Sequence, residues 1–233
     1  MKILPNDYLI ELLEGLSIKQ TISSLVKTLI MINLSTNPQY TQLNIYGCWH
    51  LAYYLPANRA EGTLAHKIIE FKNGSQAAIK RWSKWAAVEL EKLDIHFDYI
   101  VRALSSQETV PLKGKPCSKL GRYLAEVLNA EYAAMALSKS RKTRPLHSLS
   151  NRAERIDELH GVYQAHPDKY NFNDKNILII DDVTTANITI TEIVRAMQEV
   201  WPTANLYFFC LGKTEYDNSL NDNITKEYFN DPI

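Results

Sequence analysis

Two adjacent carboxylates, Asp181 and Asp182, close the hydrophobic run "NILIID" and lead into the small polar loop "VTTANIT". Like charges side by side at the end of an apolar strand repel each other, and burial disfavours both, so the pair calls for a ligand. Carboxylates accept hydrogen bonds from vicinal hydroxyls and help to position a divalent ion. The loop behind them supplies the complement. A strand ends, a turn follows and a helix begins, so unpaired backbone N–H groups and the positive end of a helix dipole gather there. That is an anion site, to which Thr184, Thr185 and Thr189 add hydroxyl donors. The spacing from Thr189 to Glu192 fits a capping box and predicts a helix start near 189. Phosphate, diol and divalent ion together describe a phosphorylated ribose.

The elements around this loop follow from periodicity. Residues 176–181 read as a buried strand, and residues 189–200 as a helix with Ile190, Val194, Met197 and Trp201 on one side. Residues 205–212 and 98–104 read as further strands, and Leu120, Leu124 and Val127 mark a helix that ends near Asn129. "YAAMAL", 132–137, suits a short strand. Residues 138–175 are polar, carry Pro145 and Pro167, and read as a long excursion. Upstream, 44–56 reads as one strand or a hairpin. Two helices follow, one carrying Leu64, Ile68 and Phe71, the other Ile79, Trp82, Ala86, Leu90 and Leu93. Trp82 and Trp85 are expected to pack. Steps of three and four from Ile18 to Ile32 predict an amphipathic helix over 18–32. Strands alternating with helices from 98 to 212 predict a parallel sheet covered on both faces. Ligands of such sheets bind beyond the carboxyl ends of the strands, where Asp181 and Asp182 sit.

The run Asp181, Asp182, Val183, Thr185 and Thr189 resembles the signature of type I phosphoribosyltransferases: four hydrophobic residues, then Asp-Asp-Val-x-Thr-Thr-Gly-x-Thr. The resemblance implies that Asp181 and Asp182 hold the ribose hydroxyls of phosphoribosyl pyrophosphate as the catalytic pair. It implies that Val183, Thr184, Thr185, Ala186, Asn187, Ile188 and Thr189 wrap the 5′-phosphate. Ala186 stands where a second threonine is usual, which removes one charged hydrogen bond of about 1.5–3 kcal/mol. Asn187 stands where glycine is usual; after glycine, asparagine is the residue that best tolerates a left-handed backbone, so the loop keeps its path.

A second stretch, 137–163, resembles the ComF-like branch of that family through Leu149, Ser150, Arg152, Arg155, Gly161 and Tyr163. Asp157 and Glu158 occupy the place of its usual asparagine. "LAHKIIEFKNG", 64–74, resembles the branch's helix before the core. The four-cysteine zinc ribbon with which that branch often begins is absent, and residues 1–40 read as a helical element instead. The expected architecture is therefore an α/β, type I phosphoribosyltransferase-like parallel sheet flanked by helices. An N-terminal helical extension, 1–43, precedes the phosphoribosyltransferase-like domain, 44–233, which carries the long inserted hood loop.

The excursion is basic. Between 138 and 155, Lys139, Arg141, Lys142, Arg144, Arg152 and Arg155 face one acid, Glu154, a local net of +5. Three readings stand: a solvated surface, a mobile hood over pyrophosphate that neutralises the leaving group, or a track for single-stranded nucleic acid. In the family another loop binds pyrophosphate through backbone amides. By position it is 103–109, with Ser105 and Ser106 as donors and Arg102 beside them. No partner base marks either serine as a nucleophile.

The resemblance implies substrate-chelated magnesium and no metal bound by the protein itself. His66, His147, His160 and His166 show no metal-ligand spacing, and Cys48, Cys117 and Cys210 are too far apart for a zinc motif or disulfide framework. The formal charge is zero, which argues against general nucleic-acid binding. No apolar run approaches a membrane span, and "MKILPNDYLIELLEG" lacks a secretory pattern, so a cytoplasmic protein is expected. Two functions remain: phosphoribosyl transfer to an acceptor that the sequence does not name, or a non-catalytic ComF-like role in DNA uptake, with single-stranded DNA or DNA-processing proteins as partners.

Overall fold

The structure is a computed structural model that describes residues 31–54 and 64–214. In chain order its elements are β1 (Ile32–Asn33), α1 (Pro38–Thr41), β2 (Gly47–Tyr54), α2 (Leu64–Lys72), α3 (Gln76–Glu91), β3 (Tyr99–Arg102), α4 (Pro116–Val127), β4 (Glu131–Tyr132), β5 (Leu137–Lys139), α5 (Arg152–Leu159), β6 (Tyr163–Ala165), β7 (Asn176–Thr184), α6 (Ile188–Val200) and β8 (Asn205–Thr214).

The apolar run Ile177–Ile180 is fully buried. Alternate side chains go to opposite faces of a strand, so burial of all four requires cover on both sides. β7 accordingly lies inside the sheet, whose order is β1-β2-β8-β7-β3-β4. β2, β8, β7, β3 and β4 run parallel, and β1 pairs antiparallel with β2 at the edge. Leu178 and Ile180 join the core beneath α2, α3 and α4. Ile177 and Ile179 join the opposite core with α6, Trp201 and Phe172. Burying each such side chain stabilises the fold by about 1.5–3 kcal/mol. Gly121 of α4 permits a close helix–sheet approach, since a Cβ there would stand 2.4 Å from the Tyr132 ring. α3 begins at Ser75, whose hydroxyl accepts the Ala78 amide at 3.4 Å.

Several expectations change. Of the two readings of 44–56, one strand or a hairpin, the single strand holds for the described residues: Gly47–Tyr54 is β2, parallel to β8. Of "YAAMAL", Tyr132 ends β4, Ala134–Ala136 forms a 3₁₀ turn and Leu137 opens β5. The expected excursion 138–175 is structured: β5 and β6 pair antiparallel, and α5 stands between them in sequence. Ile32, the last residue of the expected helix 18–32, lies in β1; residues 18–30 and the tail after 214 fall outside the described residues. Among the described residues, no helix is long and apolar enough to cross a membrane.

Candidate functional site

β7 delivers Asp181 and Asp182 to the carboxyl end of the sheet. The Asp182 amide donates to Asp181 Oδ1 at 2.8 Å, which fixes the first carboxylate against the strand. Lys72, the last residue of α2, places its Nζ 3.5 Å from Asp182 Oδ1 and 5.6 Å from the Tyr54 ring centre. Burial first, and the Asp182 charge second, push the Asp181 carboxyl above the ordinary carboxylate range. Burial alone would lower the Lys72 ammonium, but Asp182, Tyr54 and Asp181 outweigh it and raise its pKa. Cys117, in the first turn of α4, is buried below the acids. Burial and both aspartates hold its thiol well above the usual range, so it stays protonated. The ligand atoms of Cys117, Asp181 and Asp182 lie within 4.8 Å of one another. Two carboxylates suit a hard ion such as magnesium and a protonated thiol does not. The two carboxylates could therefore face a hard divalent ion without help from Cys117.

The loop after the acids turns at Asn187, whose φ of 60° and ψ of 8° lie in the left-handed region. Asparagine thus takes the conformation expected of it here. Its Oδ1 accepts the Thr184 hydroxyl at 3.1 Å, and its carbonyl accepts the Thr191 hydroxyl at 2.8 Å. Asn187 is also the N-cap, and α6 begins at Ile188. The expected capping box at Thr189 does not form, because Glu192 pairs instead with Arg195 at 2.7 and 2.9 Å. The Thr185 hydroxyl bonds Thr214 at 2.8 Å. Thr189 is left facing the cleft. The amides of Ala186, Ile188 and Thr189 have no partner among the described residues. They form the free positive end of α6.

The second loop leaves β3. Arg102, expected as an anion contact, is 3% exposed and forks onto Glu108: Nη2 to Oε1 at 2.5 Å, Nη1 to Oε2 at 3.0 Å. The same carboxylate accepts the Ser105 and Leu112 amides, each at 2.9 Å. Arg102 therefore acts inside the loop and not as a projecting donor. Ser105 and Ser106 do reach the cleft, and their carbonyls point to Lys139 Nζ at 2.9 and 3.3 Å. Tyr163, on β6, accepts the Leu104 amide at 2.9 Å and donates to the Leu104 carbonyl at 3.2 Å. The hood and this loop are thereby laced together.

Glu158 organises the basic hood. Arg141 Nη1 and Arg144 Nε each donate to it at 2.8 Å, and the Arg144 amide adds a bond at 3.0 Å. The Arg141 guanidinium foremost, then the Arg144 amide and guanidinium, hold the Glu158 carboxyl down at about 2. Arg155 donates to the Leu149 carbonyl at 3.0 Å and borders the cleft. Lys142 is exposed; Arg152 lies at a separate groove with Ala186 and Asn187. The expected cationic residues are thus divided among a clamp, a brace and open surface.

These parts enclose a cleft with two lobes. One, of about 350 Å³, lies against Ser105, Ser106, Lys139, Lys115 and Arg144. The other, of about 540 Å³, lies against Tyr54, Thr214 and residues 183–189. Lys72, Asp181, Val183 and Thr189 border both from the sheet side, and Leu146 and His147 border both from the hood. Asp181 therefore stands at the seam of the two lobes, with Asp182 beside it on the smaller one. Sequence reasoning missed Lys72, Glu108 and Glu158 as organisers of the site and counted Lys139 only among the basic residues of the hood. Glu108 and Glu158 carry no spacing signal, since their partners are set by tertiary packing.

No family model matches the chain, and no curated protein matches it. Among solved structures it is similar to an adenine phosphoribosyl transferase from Trypanosoma brucei in complex with AMP, pyrophosphate and ribose-5-phosphate, at 13% identity and TM-score 0.43, over 87% of this chain and 92% of that one. It is similar to a hypoxanthine phosphoribosyltransferase from Staphylococcus aureus, at 16% and 0.37, over 60% and 73%. It is also similar to a hypothetical protein from Neisseria gonorrhoeae with bound ppGpp, at 11% and 0.40, over 63% and 76%. Likeness this distant assigns neither family nor activity to the chain. The mixed α/β fold with its mostly parallel sheet stands on the strand order itself.

Proposed function

We propose that this chain binds phosphoribosyl pyrophosphate, or a related ribose 5-phosphate compound, as its magnesium complex and transfers the phosphoribosyl group to a nucleophilic acceptor. The observation that carries the reading is Asp181 at the seam of a two-lobed cleft, with Asp182 beside it on the smaller lobe and the free amides of α6 on the larger. A ribose bearing phosphate at one end and pyrophosphate at the other spans such a cleft. Asp181 and Asp182 accept its hydroxyl hydrogens. The free amides of Ala186, Ile188 and Thr189 and the Thr189 hydroxyl hold the 5′-phosphate. The Ser105–Ser106 loop, braced from behind by Arg102, receives the pyrophosphate beneath the hood.

In the transfer, the bond from C1 of the ribose to pyrophosphate breaks as the bond to the acceptor forms, and the acceptor gives up its proton. Magnesium bound to the substrate would supply charge screening for the leaving pyrophosphate. Positioning and charge neutralisation supply most of the rate. On this reading the chain is a ComF-like member of the phosphoribosyltransferases. The Glu158 clamp occupies Arg141 and Arg144, so no observation favours the DNA-handling alternative over transfer.

Calorimetry with phosphoribosyl pyrophosphate and magnesium tests binding. Binding lost in both Asp181→Ala and Asp182→Ala supports the reading, and no heat at millimolar ligand removes it. Release of pyrophosphate with a panel of nitrogen bases and amines tests turnover.

A further inference from the structure

Cys117 follows Pro116 in the first turn of α4 and borders the smaller lobe of the cleft, with only 9% of its surface exposed. Its sulfur has no hydrogen-bond partner among the described residues. The other two cysteines differ. Cys48 and Cys210 are wholly buried in the core on the opposite side of the sheet, and neither borders the cleft.

One ligand atom from each of Cys117, Asp181 and Asp182 lies within 4.8 Å of the other two, and all three residues line the same lobe. A tetrahedral zinc-type ion with bonds of about 2.0–2.3 Å holds its donors roughly 3.5 Å apart, so side-chain rotation closes the set. Three protein donors leave a fourth position, which opens into the lobe. Charge also favours a cation. The two carboxylates meet Lys72, 3.5 Å from Asp182, and Arg102, which Glu108 already occupies. Cys117 stands at the positive end of α4, which favours a thiolate ligand. When an ion binds, the thiol proton passes to solvent and the sulfur takes the metal in its place. The sulfur decides between ions. Magnesium ignores it, whereas zinc, cobalt and similar borderline-soft ions take thiolate together with carboxylate.

We propose that Cys117, Asp181 and Asp182 form a site for a thiophilic divalent ion of the zinc class, and that an ion held there closes the cleft to its sugar-phosphate ligand by occupying both acids. The metal site stands on its donors alone. The blocking effect rests on the sugar-phosphate reading, which gives the same acids to the ribose hydroxyls.

The probe is cobalt(II), titrated into the full chain after chelation and in a non-thiol reductant. Binding through sulfur should raise a thiolate-to-cobalt charge-transfer band in the near ultraviolet that bleaches with zinc and ignores magnesium. Cys117→Ala should abolish the band, Asp182→Asn should weaken cobalt by about tenfold or more, and Cys48→Ala should leave the band in place. Absence of the band overturns the site. So does a band that survives in Cys117→Ala, folded by circular dichroism, or one that Cys48→Ala removes equally. Calorimetry reads the second claim. Saturating zinc should weaken the magnesium complex of phosphoribosyl pyrophosphate by about tenfold or more, and should lose this effect on whatever affinity Cys117→Ala retains. Unchanged affinity under saturating zinc overturns the block. If cobalt binds through Cys117 while the unaltered protein binds no phosphoribosyl pyrophosphate, the sugar-phosphate reading fails and the metal site stands.

Discussion

Glu108 holds both terminal nitrogens of Arg102, at 2.5 and 3.0 Å, while the same two oxygens accept the amides of Leu112 and Ser105. One side chain thereby fixes the end of β3 and both sides of the loop that follows. Burial would raise the Glu108 carboxyl, but Arg102 and the two amides outweigh it and hold it at about 2.

Removing this charge should be severe. Glu108→Gln leaves the Arg102 guanidinium buried without its counter-ion, and a loss of about 3–5 kcal/mol is expected in urea unfolding. The folded carboxyl lies below its ordinary 4.5, so its stabilisation is complete above pH 4.5 and disappears as pH falls from there towards 2. The variant should lack that part of the acid sensitivity. An unchanged urea midpoint would show that the pair does not brace the loop.

Asp181 should trade stability for ligand binding. Its folded carboxyl is raised above the ordinary 3.8, so the stabilisation tied to its protonated form is present below pH 3.8 and lost as pH rises through the folded value. Asp181→Asn removes the charge that burial and Asp182 oppose. The variant should match the natural protein near pH 4 and exceed it by roughly 1–2 kcal/mol at mildly alkaline pH. Its affinity for the magnesium complex of phosphoribosyl pyrophosphate should fall by about tenfold or more. Thermal melts at several pH values with calorimetry check both. Reduced stability at alkaline pH would contradict the strain assigned to the pair.

Much of this site was legible in the sequence because its defining residues are contiguous. Asp181 to Thr189 lie on one strand, one turn and one helix start, so local rules place them, and the left-handed Asn187 follows from an asparagine standing where the resembled signature has glycine. The central strand was equally plain, since four buried apolar residues in a row require two-sided cover. The start of α6 fell within one residue of the expected 189, but the expected capping box did not form because Glu192 has a stronger partner in Arg195 than a capping role offers. The hood read as loop because β5, α5 and β6 are short, and their pairing depends on residues more than 20 positions apart. Arg102 read as a ligand contact because nothing in the sequence announces that Glu108 folds back onto it.

Asn187 offers a conformational test. A β-branched residue at φ 60° meets a steric penalty of about 1–2 kcal/mol, and Asn187→Val also removes the acceptor of the Thr184 hydroxyl. That variant should lose about 2 kcal/mol or more in a thermal melt, and its ribose 5-phosphate affinity should drop. Asn187→Gly keeps the backbone path and should stay within about 1 kcal/mol, with binding retained. Equal behaviour of the two variants would show that the left-handed turn does not shape the phosphate loop.

Ala186 tests whether the loop is a phosphate loop at all. It borders the larger lobe, half-buried, between the Thr185 hydroxyl bonded to Thr214 and the left-handed Asn187. A threonine there would place a further hydroxyl beside the free amides of α6. Ala186→Thr should therefore tighten ribose 5-phosphate by about tenfold, the worth of one modest hydrogen bond to a charged group. Pyrophosphate, placed in the other lobe, should be unaffected, and the melting temperature should hold. Tightening of both anions alike would show that they share one lobe. No tightening of either would place the 5′-phosphate away from residue 186.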